Sequence, residues 1–222
     1  MARRKEEQRM PKVFSIKPAM TLKGRKFKGL RGWAGKPLHP PLTDIPIAAY
    51  VLAAVFDVIS YCAAYNNEAA EGARSGIAHD FFVASTYVII AGAIVSLGAT
   101  LTGFWDWWKG IERDRSTGFL GRAKRTQAWR TINWHMTVML TVTAIVIIDI
   151  VVRLVQFDQG YAQLPIMILS VLAAALVSYG AAYGGSLVYE YQFNVESLEG
   201  STVWDETEID QMPGEKGHPN TA

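Results

Sequence analysis

Sulfur chemistry is almost missing from this chain. The single cysteine, Cys62, excludes an internal disulfide and a thiolate metal cluster. Nothing matches a nucleophile elbow, a P-loop, a dinucleotide fingerprint or a zinc-binding helix motif, so no catalytic residue is assigned and a non-enzymatic role is expected. Polar residues are scarce along four long stretches as well. Val83–Thr102 carries no polar stripe, and Ile166–Ala182 has only Ser and Tyr as polar groups. Helices of a soluble bundle need a polar face toward water, so that architecture is excluded.

What remains are four apolar runs, at about residues 45–65, 81–104, 135–155 and 165–187. As helices rising about 1.5 Å per residue, each is long enough to cross a hydrocarbon core of roughly 30 Å. The expected fold is all-α: an integral membrane four-helix bundle over residues 37–189, between a basic arm (1–36) and an acidic tail (190–222) in an oligomer-compatible arrangement. The lipid bilayer is its first partner.

Basic residues are also unevenly spread. The arm holds Arg3, Arg4, Lys5, Arg9, Lys12, Lys17, Lys23, Arg25, Lys26, Lys28, Arg31 and Lys36 against Glu6 and Glu7. The connection between the second and third spans adds Lys109, Arg113, Arg115, Arg122, Lys124, Arg125 and Arg130, whereas the other two connections hold only Arg74. Basic segments beside a span stay in the cytoplasm, so both termini are expected there, in a bacterial inner membrane. The basic start is followed by no apolar stretch with a cleavage site, so the first span is expected to direct insertion. The arm suits anionic headgroups or an acidic partner. No nucleic-acid recognition fold accompanies it, and nucleic acid is not an expected ligand. The tail, with Glu190, Glu196, Glu199, Asp205, Glu206, Glu208, Asp210 and Glu215, is of opposite sign; the two could pair within a chain or between subunits.

Small residues at four-residue spacing mark packing seams: Gly92, Ser96 and Thr100 in the second span, and either Ala174, Ser178 and Ala182 or Gly180 and Gly184 in the fourth. They imply a compact bundle rather than a wide pore.

Polar groups at membrane depth are expensive and therefore informative. Two sets stand out. Asp57 in the first span and Asp149 and Arg153 in the third form an intramembrane charge cluster, Asp149 and Arg153 sharing a helix face at i, i+4. It reads as an internal ion pair fixing helix register, an ion or proton pathway, or snorkelling at the outer interface. The second set lies where the opposite helix ends meet: His39 and Asp44 before the first helix, Asp106 and Trp107 at the end of the second, Asn133 and His135 at the start of the third, and Tyr189 closing the fourth. Trp33, Trp105, Trp108, Trp129 and Trp134 share that level, as an aromatic belt would. His39 and His135 alone among the histidines can share a membrane level, so they are the candidates for holding haem b or a quinone. A divalent metal held by the same histidine pair with Asp44 and Asp106 is an alternative use. Pro40, Pro41 and Pro46 are expected to hold His39 and Asp44 in an extended approach to the first helix.

The segment GKPLHPPLTDIPIAAYVLAAVFD from Gly35 resembles the opening of a bacterial four-helix membrane family known only as a domain of unknown function, which also occurs joined to Rieske-type iron–sulfur domains. The likeness continues through ATLTGFWDW (Ala99–Trp107), the third span to Arg153, and Tyr183 through GGSLVY to Val195. It implies that His39, Pro40, Asp44, Pro46, Asp57, Gly103, Asp106, Trp107, Asn133, Arg153, Gly184, Gly185 and Tyr189 are family positions. The family often has histidines where this chain has Trp129 and Ser186. Three roles follow as expectations: an accessory or scaffolding subunit docking a respiratory or other partner at the cytoplasmic face, a haem- or quinone-binding electron-transfer protein working with an iron–sulfur partner, or an ion or proton transporter.

Overall fold

A computed structural model describes residue 30 and residues 37–66, 76–110, 113–114, 122–123 and 125–193. Four helices dominate it: α1 (His39–Asn66), α2 (Ile77–Gly110), α3 (Gln127–Val155) and α4 (Leu164–Tyr189). The only described strands are β1 (Arg113–Asp114) and β2 (Arg122–Ala123), a two-residue antiparallel ladder in the α2–α3 connection. The arm and tail, apart from Leu30 and residues 190–193, lie outside the described residues.

All four helices are long and apolar enough to span a membrane, with mean hydropathies of 1.9, 2.0, 2.5 and 2.0. Only 28–33% of each span is buried inside the protein, and the outward positions are apolar as well: Leu101 is 71% and Val155 79% exposed. Water would penalise such a surface, and hydrocarbon solvates it. At 26–34 residues the helices run about 39 to 51 Å, well beyond a core of roughly 30 Å, so their ends project past the hydrocarbon.

That overshoot corrects three expectations. His39 and Asp44 do not precede the first helix. α1 begins at His39 and includes Asp44. Likewise His135 lies two turns inside α3, which starts at Gln127 behind a cap in which Thr126 Oγ1 accepts the Trp129 amide at 3.1 Å. The prolines do not enforce an extended approach either. Pro40 and Pro41 occupy the first turn, where an amide has no helical acceptor to lose, and Pro46 sits inside α1 at the cost of the bond to Leu42.

Every pair of neighbouring helices is antiparallel. α1 packs on α2 and α4; α3 packs on α4 and, most sparsely, on α2, so α1 and α3 stand on a diagonal. Gly92 sets the α1–α2 approach, because a Cβ there would lie 2.6 Å from that of Ala49. On α4 the seam is Gly180 and Gly184, not the alternative stripe: a Cβ on Gly180 would meet Met139 Sδ at 2.7 Å, while Ser178 and Ala182 face outward. The core between the helices holds Ala49, Tyr50, Ala53, Ile89, Val142, Val146, Ala173 and Val177. At the end remote from His39, Ser60 Oγ donates to the Ala78 carbonyl at 2.6 Å and accepts the Ala162 amide at 3.0 Å, tying α1 to the starts of α2 and α4.

Candidate functional site

Near the Ser60 end, Arg153, Asp57 and Asp149 meet, and all three side chains are 0% exposed. Arg153 reaches across the diagonal to Asp57 with a two-pronged pair, Nη1–Oδ1 at 3.0 Å and Nη2–Oδ2 at 2.7 Å. Nη2 also donates to both Asp149 oxygens at 3.1 Å. From α2, Ser85 accepts Nη1 at 2.6 Å and bonds Asp57 Oδ1 at 2.5 Å, and Phe82 lies under the guanidinium at 5.8 Å. The cluster thus joins α1, α2 and α3. The guanidinium does not reach the outer surface, and its arrangement is that of a closed lock. Ser85 escapes a sequence reading because a serine in an apolar helix is unremarkable until the α1–α2 register sets it against Asp57.

At the opposite end a cavity of about 290 Å³ lies between all four helices. Its walls are apolar, with His39 from α1 and His135 from α3 facing into it, Asp106 and Trp107 from α2 at its rim, and Met136 and Met139 along α3. Each imidazole is oriented in the same way. His39 Nδ1 donates to the Ala99 carbonyl of α2 at 2.9 Å, and His135 Nδ1 donates to the Gly180 carbonyl of α4 at 2.8 Å. A carbonyl only accepts, so each Nδ1 carries the proton, and the neutral ring keeps Nε2 as a lone pair. Each ring also sits in a recess made by a glycine. A Cβ at Gly103 would come within 2.6 Å of the His39 ring, and one at Gly184 within 3.2 Å of the His135 ring. Gly185, by contrast, has nothing within 4 Å of its Cβ position.

The remaining members of the polar set do not gather there. Asp44 is exposed, Tyr189 is 86% exposed, and the Asn133 amide donates to the Trp129 carbonyl of its own helix at 2.6 Å. Asp106 is 8% exposed and accepts the Leu30 amide at 3.0 Å. Among the described residues no three His, Cys, Asp or Glu side chains converge as a metal site would require. The donor set suits a different group. Two backbone-anchored imidazoles lining one apolar chamber are the ligand type that haem b would take. At about 290 Å³ the cavity falls just below the usual range of ligand sites, about 300–1,000 Å³, and Met136 on its α3 wall is the kind of side chain that adapts to an occupant. A quinone fits the histidines less well, since its carbonyls seek donors and these rings present acceptors.

Fold and outer surface together define a four-span integral membrane protein. A family described as predicted membrane protein (DUF2231) matches residues 35–197, and the chain belongs to that family, the one its PLHPPLTDIP stretch resembles. No curated protein and no solved structure matches it. The family description gives a location and no activity.

Proposed function

We propose that this protein is a membrane electron carrier that binds haem b between His39 and His135. One observation carries the reading: two imidazoles on diagonal helices line one apolar cavity, each with Nδ1 committed to a neighbouring helix and each in a glycine recess. The Nδ1 bonds fix tautomer and ring orientation and raise the basicity of Nε2, as the outer partners of ligating histidines do. Gly103 and Gly184 let the rings lie flat against α2 and α4, and the apolar walls exclude water. Haem b held there would supply one-electron redox chemistry. The histidine end is assigned to the cytoplasmic side of a bacterial inner membrane, as the flanking basic residues favour, which would put arm and tail where a soluble redox partner could dock. The charge cluster is assigned a structural role, because both Arg153 Nη nitrogens and both carboxylates are bonded within it.

The decisive measurement is the visible spectrum of protein purified in mild detergent from haem-replete cells. A band sharpened by dithionite is expected, and His39→Ala and His135→Ala should each abolish it while the helices remain by circular dichroism. A colourless wild-type preparation overturns the reading. For topology, tails digested by protease in inverted vesicles but not in intact cells are expected; trimming in intact cells would reverse the assignment.

A further inference from the structure

The buried cluster at the Ser60 end holds one more negative charge than positive. Arg153 brings one cation, Asp57 and Asp149 bring two carboxylates, and all three side chains are 0% exposed. Among the described residues no other charge faces them. α2 contributes the neutral Ser85, Thr86 and Phe82, and α4 has no charged side chain along its length. Farther out, His79 is bonded to the Gly160 carbonyl at 3.2 Å, and Asp80 and Asp158 are exposed. Shut away from water, a surplus charge is costly.

The two carboxylates are also served unequally. Asp57 receives three hydrogens, from Nη1 at 3.0 Å, Nη2 at 2.7 Å and Ser85 at 2.5 Å. Asp149 has only Nη2 among the described residues, at 3.1 Å from each oxygen. That nitrogen already gives one of its two hydrogens to Asp57, so a single shared hydrogen faces both Asp149 oxygens. Bonds between a guanidinium and an ionised carboxylate run about 2.7–2.9 Å, a range that Asp57 enters and Asp149 does not. A second gap lies on the same guanidinium. The Arg153 Nε–H is buried without a partner, and a water oxygen is the smallest acceptor that would satisfy it.

We propose that the cluster is a binding site for one proton, carried by Asp149 as the neutral acid while Asp57 serves as the counter-ion of Arg153. The proton restores the charge balance and needs no ion-sized cavity. A water held by Nε is the species with which the acid exchanges it, the O–H bond breaking at Asp149 and forming at the water oxygen. The site is independent of what fills the histidine chamber.

The test joins infrared spectroscopy and thermal unfolding of the full-length protein in detergent at neutral pH. The carbonyl stretch of an un-ionised carboxylic acid is expected in wild type and should be lost in Asp149→Asn. Because an amide then replaces a neutral acid of the same shape, Asp149→Asn should melt within about 2 °C of wild type, whereas Asp57→Asn should melt about 4–8 °C lower. An Asp57→Asn variant that does not fold supports the same ranking, and the infrared comparison does not need it. An acid band left unchanged by Asp149→Asn, no acid band in wild type, or a melting temperature that falls as far in Asp149→Asn as in Asp57→Asn overturns the proposal. So does stabilisation by sodium chloride over choline chloride that Asp149→Asn removes, since a metal cation would then supply the missing charge.

Discussion

The two ends of this bundle treat buried polarity in opposite ways. At the Ser60 end, Arg153 and Asp57 pair through two short bonds, Asp149 and Ser85 fill in around them, and nothing charged is offered outward. At the other end, His39 and His135 each spend one nitrogen on a backbone carbonyl, and both rings line a cavity. The first arrangement pairs its charges internally, leaving only the buried Arg153 Nε–H without a partner, and so holds helices in register. The second leaves one nitrogen of each ring outside the hydrogen bonds that anchor it. Where lipid is the solvent, the incomplete site is the better indicator of function.

Removing one member of the lock should give the largest effect. Asp57→Ala takes from the buried guanidinium its two-pronged partner across the diagonal, leaving Asp149 as its one carboxylate, and is expected to cost about 3 kcal/mol, read as loss of helix signal on denaturation in detergent. Replacing Asp57, Asp149 and Arg153 together by leucine should recover most of that loss. If Asp57→Ala alone proves harmless, the contrast between the ends is false. The glycine recesses sharpen the contrast from the other side. Gly103→Ala drives a methyl into the His39 ring and is expected to cost about 1–3 kcal/mol and to perturb the visible band. Gly184→Ala, with a 3.2 Å approach, should do less, and Gly185→Ala, in open space, should stay within about 0.5 kcal/mol of wild type. Equal effects from all three would mean that the recesses do not shape the histidine site. The smallest effect is local. Asp106→Asn replaces a charged acceptor of the Leu30 amide, and faster hydrogen exchange at that amide, with at most about 1 kcal/mol of stability lost, is expected.

Much of this was legible beforehand, and the misses share a cause. Hydropathy located all four spans, because lipid tolerates only apolar helical runs of that length. It set their ends too far inward at His39 and Gln127, since it senses hydrocarbon and not hydrogen bonding. Pro40 and Pro41 were misjudged because a proline that breaks a helix interior is harmless in the first turn. The i, i+4 relation of Asp149 and Arg153 is local and readable. That Ser85 joins them depends on how α2 slides along α1. Two small-residue stripes on α4 were equivalent on paper, and only the rotation of that helix against Met139 favours Gly180 and Gly184.

Sequence alone decided what the chain must be dissolved in and how often it crosses, for those follow from transfer free energies that add residue by residue along the chain. Tertiary structure alone decided which polar groups cancel and which stay available. That depends on helix rotation and register, where a shift of one residue swings a side chain by about 100° and turns a lock into an open site, or the reverse.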